Sequence, residues 1–414
     1  MGSFSIPLSG MSAAQDALQS VSNNLANLNT NGYKDQNVLF SDVYAQTGAT
    51  NGAGNPMQTG LGVSPAGTVS NFSEGSLNPT GIPSNMALSG TGYFVVQQSN
   101  GLTDYTRAGD FTANNAGFLT TPSGQLVLGY PAVGGVVNTS AQLQPLQVGL
   151  GETTPAVATA NVQITANLDA NTAVGGAGPV STLTVYDSLG SQHVLTVSYT
   201  ETAANTWNYT VTIPGADLAA GGTGNTTIGS GTLNFDGSGN LISTTNVTPI
   251  SIPTLADGAT TPMAINGPFG TAANPTITQT ASANATSGTT QDGYPSGTLQ
   301  SYTVQPDGTI EGVFSSGKSL ALGQVAVAAF ANDQGLNQLG SNSYASTVAS
   351  GAAVIGVAGT GGRGTIVGGS VEQSNVDIAT EFSKLIVAQQ AYAANAKSVT
   401  TFNQVSQATL QMVQ

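Results

Sequence analysis

Residues 11–28, MSAAQDALQSVSNNLANL, set Met11, Leu18 and Leu25 seven apart and place Ala14, Val21 and Leu28 in the alternating offset. A seven-residue apolar repeat winds a continuous stripe along a helix, and that stripe requires another helix to cover it. The far end repeats the interval. Ile378, Leu385, Tyr392 and Val399 form one seam there, with Phe382, Ala396 and Leu410 on the second. Two such helices at opposite termini cover their stripes most simply by meeting each other, or by meeting the same ends of other copies. The pattern points to assembly before it points to chemistry.

Composition agrees with that emphasis. The chain of 414 residues has no Cys and a single His, His193, so thiol chemistry, disulfides, Cys-containing zinc sites and His-based triads have little to build on. Charged residues make up 6% of it, against roughly a quarter in ordinary soluble domains. With 54 Gly and 18 Pro the interior must be rich in turns, yet Val, Ile, Leu, Tyr and Phe recur regularly enough to imply folded β structure. The net charge of −14 reflects an absence of base, since only Lys34, Arg107, Lys318, Arg363, Lys384 and Lys397 are basic. Residues 108–317 contain no Lys or Arg, so a phosphate backbone would find no basic groove, and nucleic acid is not an expected partner. No run of eighteen apolar residues is present for a membrane span. The first residues carry neither a positive n-region nor an apolar h-region, so export is expected by a route without a cleavable signal. No constellation suggests catalysis, and no catalytic, cofactor-binding or metal-ligating residue is assigned.

The spacing predicts a first helix opening between Ser9 and Ser12, where Ser12 and Gln15 match a capping box, and stopping by residues 29–32. Residues 33–72 show little periodicity and read as an extended connector with a short strand at 37–40. Strand signals sharpen over 86–88, 93–96 and 105–111. Hairpins are expected at 233–242 and 302–314 around Asp236-Gly237 and Asp307-Gly308, and another from 181 to 199 with its turn at 187–193. Composition shifts near 148–155 and 281–293 bracket a segment of domain size. A Gly-rich stretch, 351–369, precedes a terminal helix starting near Val371, about forty residues and thus ~60 Å long.

Four stretches together carry a resemblance. The first is 22–34, with Asn24, Asn27, Asn31, Gly32, Tyr33 and Lys34. The second is 88–96, with Gly92, Tyr93 and Phe94. The third is 105–111, with Arg107, Gly109 and Phe111, followed by Gly117. The fourth is 371–377 and the helix after it. In this order and at these distances from the ends they resemble the axial rod and hook family of bacterial flagella. The resemblance implies a mainly β protein with long α-helical coiled-coil termini, in which discontinuous inner domains are nested around an inserted outer β domain. The implied divisions are a coiled-coil domain from 1–30 and 370–414, an extended connector from 31–70 and 351–369, an inner β domain from 71–147 and 291–350, and an outer β domain from 148–290. Rod members have little or no inserted outer domain, so the insertion favours a hook subunit over a distal rod subunit. Such a subunit forms a homo-polymer, a curved tubular universal joint that carries motor torque from rod to filament around the export channel. It is extracellular, exported by the flagellar apparatus, and meets the distal rod protein, the hook cap and the hook–filament junction proteins. A secreted β-rich adhesin is the alternative outside this family, and it would have stable, ordered ends as a monomer.

Single residues also have bland readings. Asn24 and Asn27 are expected to bond between subunits rather than merely end a helix, whereas Asn31-Gly32 reads as a turn. Arg107 is expected to pair with Asp104 or Asp110. His193 is expected in an exposed hairpin turn. Turn chemistry accounts for Asp169, Asp187, Asp217, Asp236 and Asp257, with a calcium site as the weaker alternative because no dense acidic loop is present.

Overall fold

A computed structural model of the chain describes residues 4–43, 46–50, 56–245, 249–271 and 274–412. It is mainly β, with α-helices only at the two ends among the described residues: α1, Ser5–Ala26, and α2, Ile378–Met412. The contacts divide the chain into two units. The first comprises 1–149, 301–312 and 320–414, and the second 150–300 and 313–319.

Helix α1 begins earlier than the capping box implies. Its N-cap is Phe4, without a side-chain cap, so Ser12 and Gln15 lie inside the helix. Pro7 falls in the first turn, where the missing N–H has no intrahelical acceptor to lose. Helix α2 begins later than expected, at Ile378, and has 35 residues, ~50 Å long. Asp377 sets that start by accepting the Thr380 N–H at 2.6 Å. Val371 instead lies in the strand Ser370–Glu372, paired with Leu77–Pro79. The two helices run antiparallel. Asn24 meets Glu381, Gly10 lies against Asn395, and the Phe4 and Phe402 rings are 6.0 Å apart. A Cβ on Gly10 would sit 2.9 Å from the end of the Asn395 side chain, which would have to move to admit it.

The segments read as connectors are more ordered than their composition suggests. Gln36–Asp42 pairs with Val63–Ser70, and Gln46–Thr50 with Pro56–Thr59, while residues 44–45 and 51–55 of that connector lie outside the described residues. In the Gly-rich stretch, Val354–Val357 pairs with Ser319–Ala329, and Thr365–Gly368 with Met86–Ser89. Of these strands the pattern disclosed only the one around 37–40, because ladder hydrogen bonds need no side-chain periodicity.

The main sheet of the first unit orders Ser319–Ala329, Leu126–Val133, Tyr93–Gln97, Thr103–Thr106, Ser343–Ala345 and Asn337–Gly340. It is covered on both faces. Phe94, Phe111, Val127 and Val325 belong to one core, and Tyr93, Val95, Tyr105 and Tyr344 to the other. The strand signals at 86–96 accordingly read as continuous apolar runs.

The second unit holds a five-stranded antiparallel meander: Ala177–Tyr186, Gln192–Ala203, Thr206–Pro214, Asn225–Phe235 and Leu241–Thr245. A three-stranded sheet places Val162–Asp169 between Ile277–Thr280 and Ala285–Gln291. Alternate residues from both sheets, among them Ile164, Leu195, Val197, Trp207, Tyr209 and Ile277, enter one core. Asp292 pins the entry to this unit, accepting the N–H groups of Ala160 and Asn161 at 2.9 Å and the Asn161 amide at 2.7 Å. Burial opposes its ionisation, but these hydrogen bonds outweigh it and hold the carboxyl below its usual value of 3.8. The stabilisation is therefore present above that pH and is lost as pH falls. Asp292→Ala is expected to destabilise the second unit by about 1 kcal/mol at pH 7, with the gap from the parent narrowing as pH falls below 3.8. Thermal unfolding at pH 7 and below pH 3.8 checks this, and an equal gap at each contradicts it.

Candidate assembly site

Glu372 is fully buried, and its two carboxylate oxygens take different cations. Lys34 Nζ lies 2.6 Å from Oε1 and Arg107 Nη1 3.2 Å from Oε2. The Gly75 N–H also donates to Oε1 at 2.9 Å, and Lys34 donates to the Ser73 carbonyl at 2.6 Å. Arg107 reaches the Gly90 carbonyl at 2.7 Å and lies over the Tyr93 ring at 5.5 Å. Three sequence stretches far apart in the chain thus converge on one carboxylate. Burial pushes the Lys34 ammonium below its ordinary value, and Glu372 offsets only part of that. Desolvation cancels much of the Coulomb gain in such a cluster, while removal of one partner is costly. The net gain from the intact cluster is therefore small beside the cost of removing one of its members.

The expected partners of Arg107 are engaged elsewhere. Asp104 accepts from the Gln125 amide at 2.9 Å, and Asp110 from the Asn31 amide at 3.4 Å. Short acids adjacent in sequence were outcompeted by a longer one arriving from the C-terminal strand.

A second polar hub joins the helices. Asn24 is 0% exposed. Its amide donates to the Gln36 carbonyl at 2.9 Å and to Glu381 Oε2 at 3.1 Å, and its oxygen accepts from the Gln36 N–H at 3.0 Å and the Tyr33 hydroxyl at 3.1 Å. All four hydrogen-bonding capacities of the amide are used. Glu381 also pairs with Lys384 at 2.6 Å, and Lys384 donates to Asn37 at 2.8 Å. Burial raises the Tyr33 hydroxyl pKa, helped by the charges of Asp35 and Glu381. Asn24 thus bonds within its own chain. Asn27 donates back to the Asn23 carbonyl at 2.9 Å at the end of α1.

The remaining motif residues are steric requirements. Gly32 has φ +68°, and a Cβ there would stand 2.6 Å from the Ala108 nitrogen. A Cβ on Gly109 would run into the Met86 carbonyl, and one on Gly92 would sit 2.7 Å from Val327. Gly117 has φ +81° and lies against Gly149. Phe94 and Phe111 stack edge to face at 5.1 Å.

The heptad residues divide into two groups. Ala14 and Val21 are buried, and Met11, Leu18, Leu25, Leu385, Ala396 and Val399 are half-buried, as is Leu28, which lies beyond the last residue of α1. Ile378, Phe382 and Leu410, in contrast, are 48%, 51% and 68% exposed, and Tyr392 39%. Ile386 and Val387, outside the seams read from the sequence, are 53% and 66% exposed. At 100° per residue Ile378, Phe382 and Ile386 line one flank of α2, while Val387 and Val405 lie on another face. Helix α2 is apolar on more sides than α1 can cover.

His193 also departs from expectation. It is buried, with Nε2 3.1 Å from Asp187 Oδ2 and Nδ1 3.1 Å from Asp217 Oδ2. Burial lowers the imidazole pKa, but the two carboxylates outweigh it and raise the value overall. Burial likewise opposes ionisation of Asp187, but hydrogen bonds hold it at about 2. The alternation that buries Leu195, Val197 and Tyr199 puts His193 on the same face, a signal already present in the sequence.

An antiparallel pair made from the two chain ends, tied to a β body by buried polar hubs, defines a structural protein whose termini form one helical element. Comparison with known proteins specifies it further. Family models match residues 6–34 (flagella basal body rod protein), 87–182 (flagellar hook protein FlgE/F/G D1 domain), 157–294 (flagellar basal body protein FlaE D2 domain) and 367–412 (flagellar basal body rod FlgEFG protein C-terminal). The flagellar hook protein FlgE of Treponema pallidum is 35% identical over 448 residues, covering 95% of this chain and 96% of that protein. That of Salmonella typhimurium is 35% identical over 419 residues, covering 97% and 98%. The crystal structure of Helicobacter pylori flagellar hook protein FlgE2 shares the fold, with a TM-score of 0.54 at 15% identity, over 71% of this chain and 98% of that one. The chain belongs to the flagellar hook protein FlgE family.

Proposed function

We propose that this chain is the structural subunit of a bacterial flagellar hook, a homo-polymer that forms a curved tubular joint between rod and filament around an export channel. Full-length similarity to hook proteins supports the family role, and the exposed apolar flank of α2 is the observation that carries self-assembly. Isolated helices gain little until covered, and Ile378, Phe382 and Ile386 lie outside the contact with α1. On another face of α2, a separate groove of ≈600 Å3, lined by Ala13, Ala17, Phe40, Val63 and Val387 among others, offers further apolar surface. A head-to-tail contact that does not close into a ring yields an open helical tube. In this reading the terminal helices form an inner coiled-coil layer, residues 71–147 and 291–350 a middle β layer, and 148–290 an outer one. The distal rod protein, hook cap, junction proteins and export apparatus are its partners, and the hook is extracellular.

The test is electron microscopy and light scattering of the purified chain beside Phe382→Ser/Ile386→Ser. Both substituted positions are about half exposed, so the variant is expected to keep the parent's thermal unfolding while losing at least tenfold in polymer yield. Tubes from the variant at parental yield, or a parent that stays monomeric even when seeded with hook fragments, contradict the reading. The latter result favours the adhesin alternative.

A further inference from the structure

Two carboxylate oxygens and one imidazole nitrogen converge in the second unit. His193 Nε2 lies 3.1 Å from Asp187 Oδ2 and 3.9 Å from Asp257 Oδ2, and the three ligand atoms are all within 4.8 Å of one another. Ligands around a tetrahedral ion at ~2.0–2.2 Å are separated by roughly 3.4 Å, within this range. The geometry is prepared by the chain itself. Asp187 Oδ1 is spent on the N–H groups of Leu189 and Ser191, at 2.8 and 2.9 Å, and Asp257 Oδ1 on that of Ala259 at 3.1 Å, which leaves each Oδ2 facing the imidazole. Asp217 fixes the ring from behind through Nδ1 at 3.1 Å, the carboxylate–histidine arrangement that orients metal ligands.

Charge adds an independent argument. Three carboxylates meet one imidazole in a stretch, 108–317, without Lys or Arg, and Lys318 is engaged over the Tyr294 ring at 5.8 Å. A divalent ion would offset the negative charge gathered there. We propose that Asp187, His193 and Asp257 bind a divalent ion of the zinc class, with Asp217 as the positioning residue and water completing the coordination. The imidazole favours such an ion over calcium or magnesium, which prefer all-oxygen sites. Asp217 and Asp257, 28% and 29% exposed at their side chains, leave an entry path from solvent. The ion would clip together the 187–191 turn, the strand Gln192–Ala203, the Gly215–Asp217 turn and the loop after Ile250–Ile252. The inference does not depend on the hook reading.

Equilibrium dialysis of the full chain against zinc chloride, with metal content read by mass spectrometry, and calorimetric titration with Zn2+ and Ca2+ test it. One Zn2+ per chain is expected, with Ca2+ at least tenfold weaker. Asp217→Ala should weaken Zn2+ by about 10- to 100-fold. Asp257→Asn should weaken it at least tenfold while leaving metal-free thermal unfolding at or above the parent's, which separates ligand loss from misfolding. A parent that retains no zinc at micromolar free ion overturns the proposal, as does equal affinity in Asp257→Asn. Either leaves the cluster as an ion-paired histidine alone.

Discussion

Glu372→Gln is expected to destabilise the first unit by about 3–5 kcal/mol, because it leaves Lys34 and Arg107 buried without the carboxylate that both face. An amide reaches one of the two cations as a hydrogen-bond acceptor and neutralises neither. The damage should appear where the three strands of sequence meet. Hydrogen exchange at 33–36, 88–92 and 370–373 should quicken before that of Leu126–Val133 in the main sheet. A loss under 1 kcal/mol in urea unfolding would show that the carboxylate does not hold these segments together.

Asn24→Ala should have the second largest effect, about 2–4 kcal/mol. It removes the acceptor of the Gln36 N–H and of the Tyr33 hydroxyl proton and a donor to Glu381, while the Gln36 carbonyl keeps the Ser20 hydroxyl and the Tyr33 oxygen keeps the Asn23 amide. The effect should be local. Amides of α1 are expected to lose protection while Tyr93–Gln97 and Leu126–Val133 keep theirs, and polymerisation should fall with the helix pairing. Unchanged protection in α1 would mean that apolar contacts alone hold the helices and that Asn24 is incidental.

Both hubs show which information the sequence carried. The seven-residue spacing disclosed the terminal helices, and the apolar runs at 86–96 and alternation at 181–199 disclosed the β units, because local periodicity records which face is buried. The partners of the buried charges were not legible. Arg107 lies next to Asp104 and Asp110 in the sequence yet bonds Glu372, 265 residues away. Nothing local distinguishes a carboxylate that arrives through strand pairing from one that points to solvent. Asn24 was expected to bond between subunits, but its partners here, Gln36 and Glu381, come from the strand Gln36–Asp42 and from the opposite terminus of the same chain. His193 was different, since the parity of its strand already placed it inward and the turn residues before it obscured that. The start of α2 was read seven residues early because Val371 continues the apolar spacing, although Asp377 supplies the cap.

The hubs also suggest why exposed apolar flanks are tolerated. They fix α1 and α2 to the β body at Asn24, Glu381 and Glu372, so the helices can present Ile378, Phe382 and Ile386 without depending on those residues for their own pairing. The most direct measurement of that claim is a cryo-EM map of tubes formed by the purified chain. Helices α1 and α2 should line the tube, with Phe382 and Ile386 buried against a neighbouring subunit and the Asn24–Glu381 contact retained within each chain. Tubes in which that flank of α2 faces solvent would contradict the account, because assembly would then rest on surfaces other than the terminal helices.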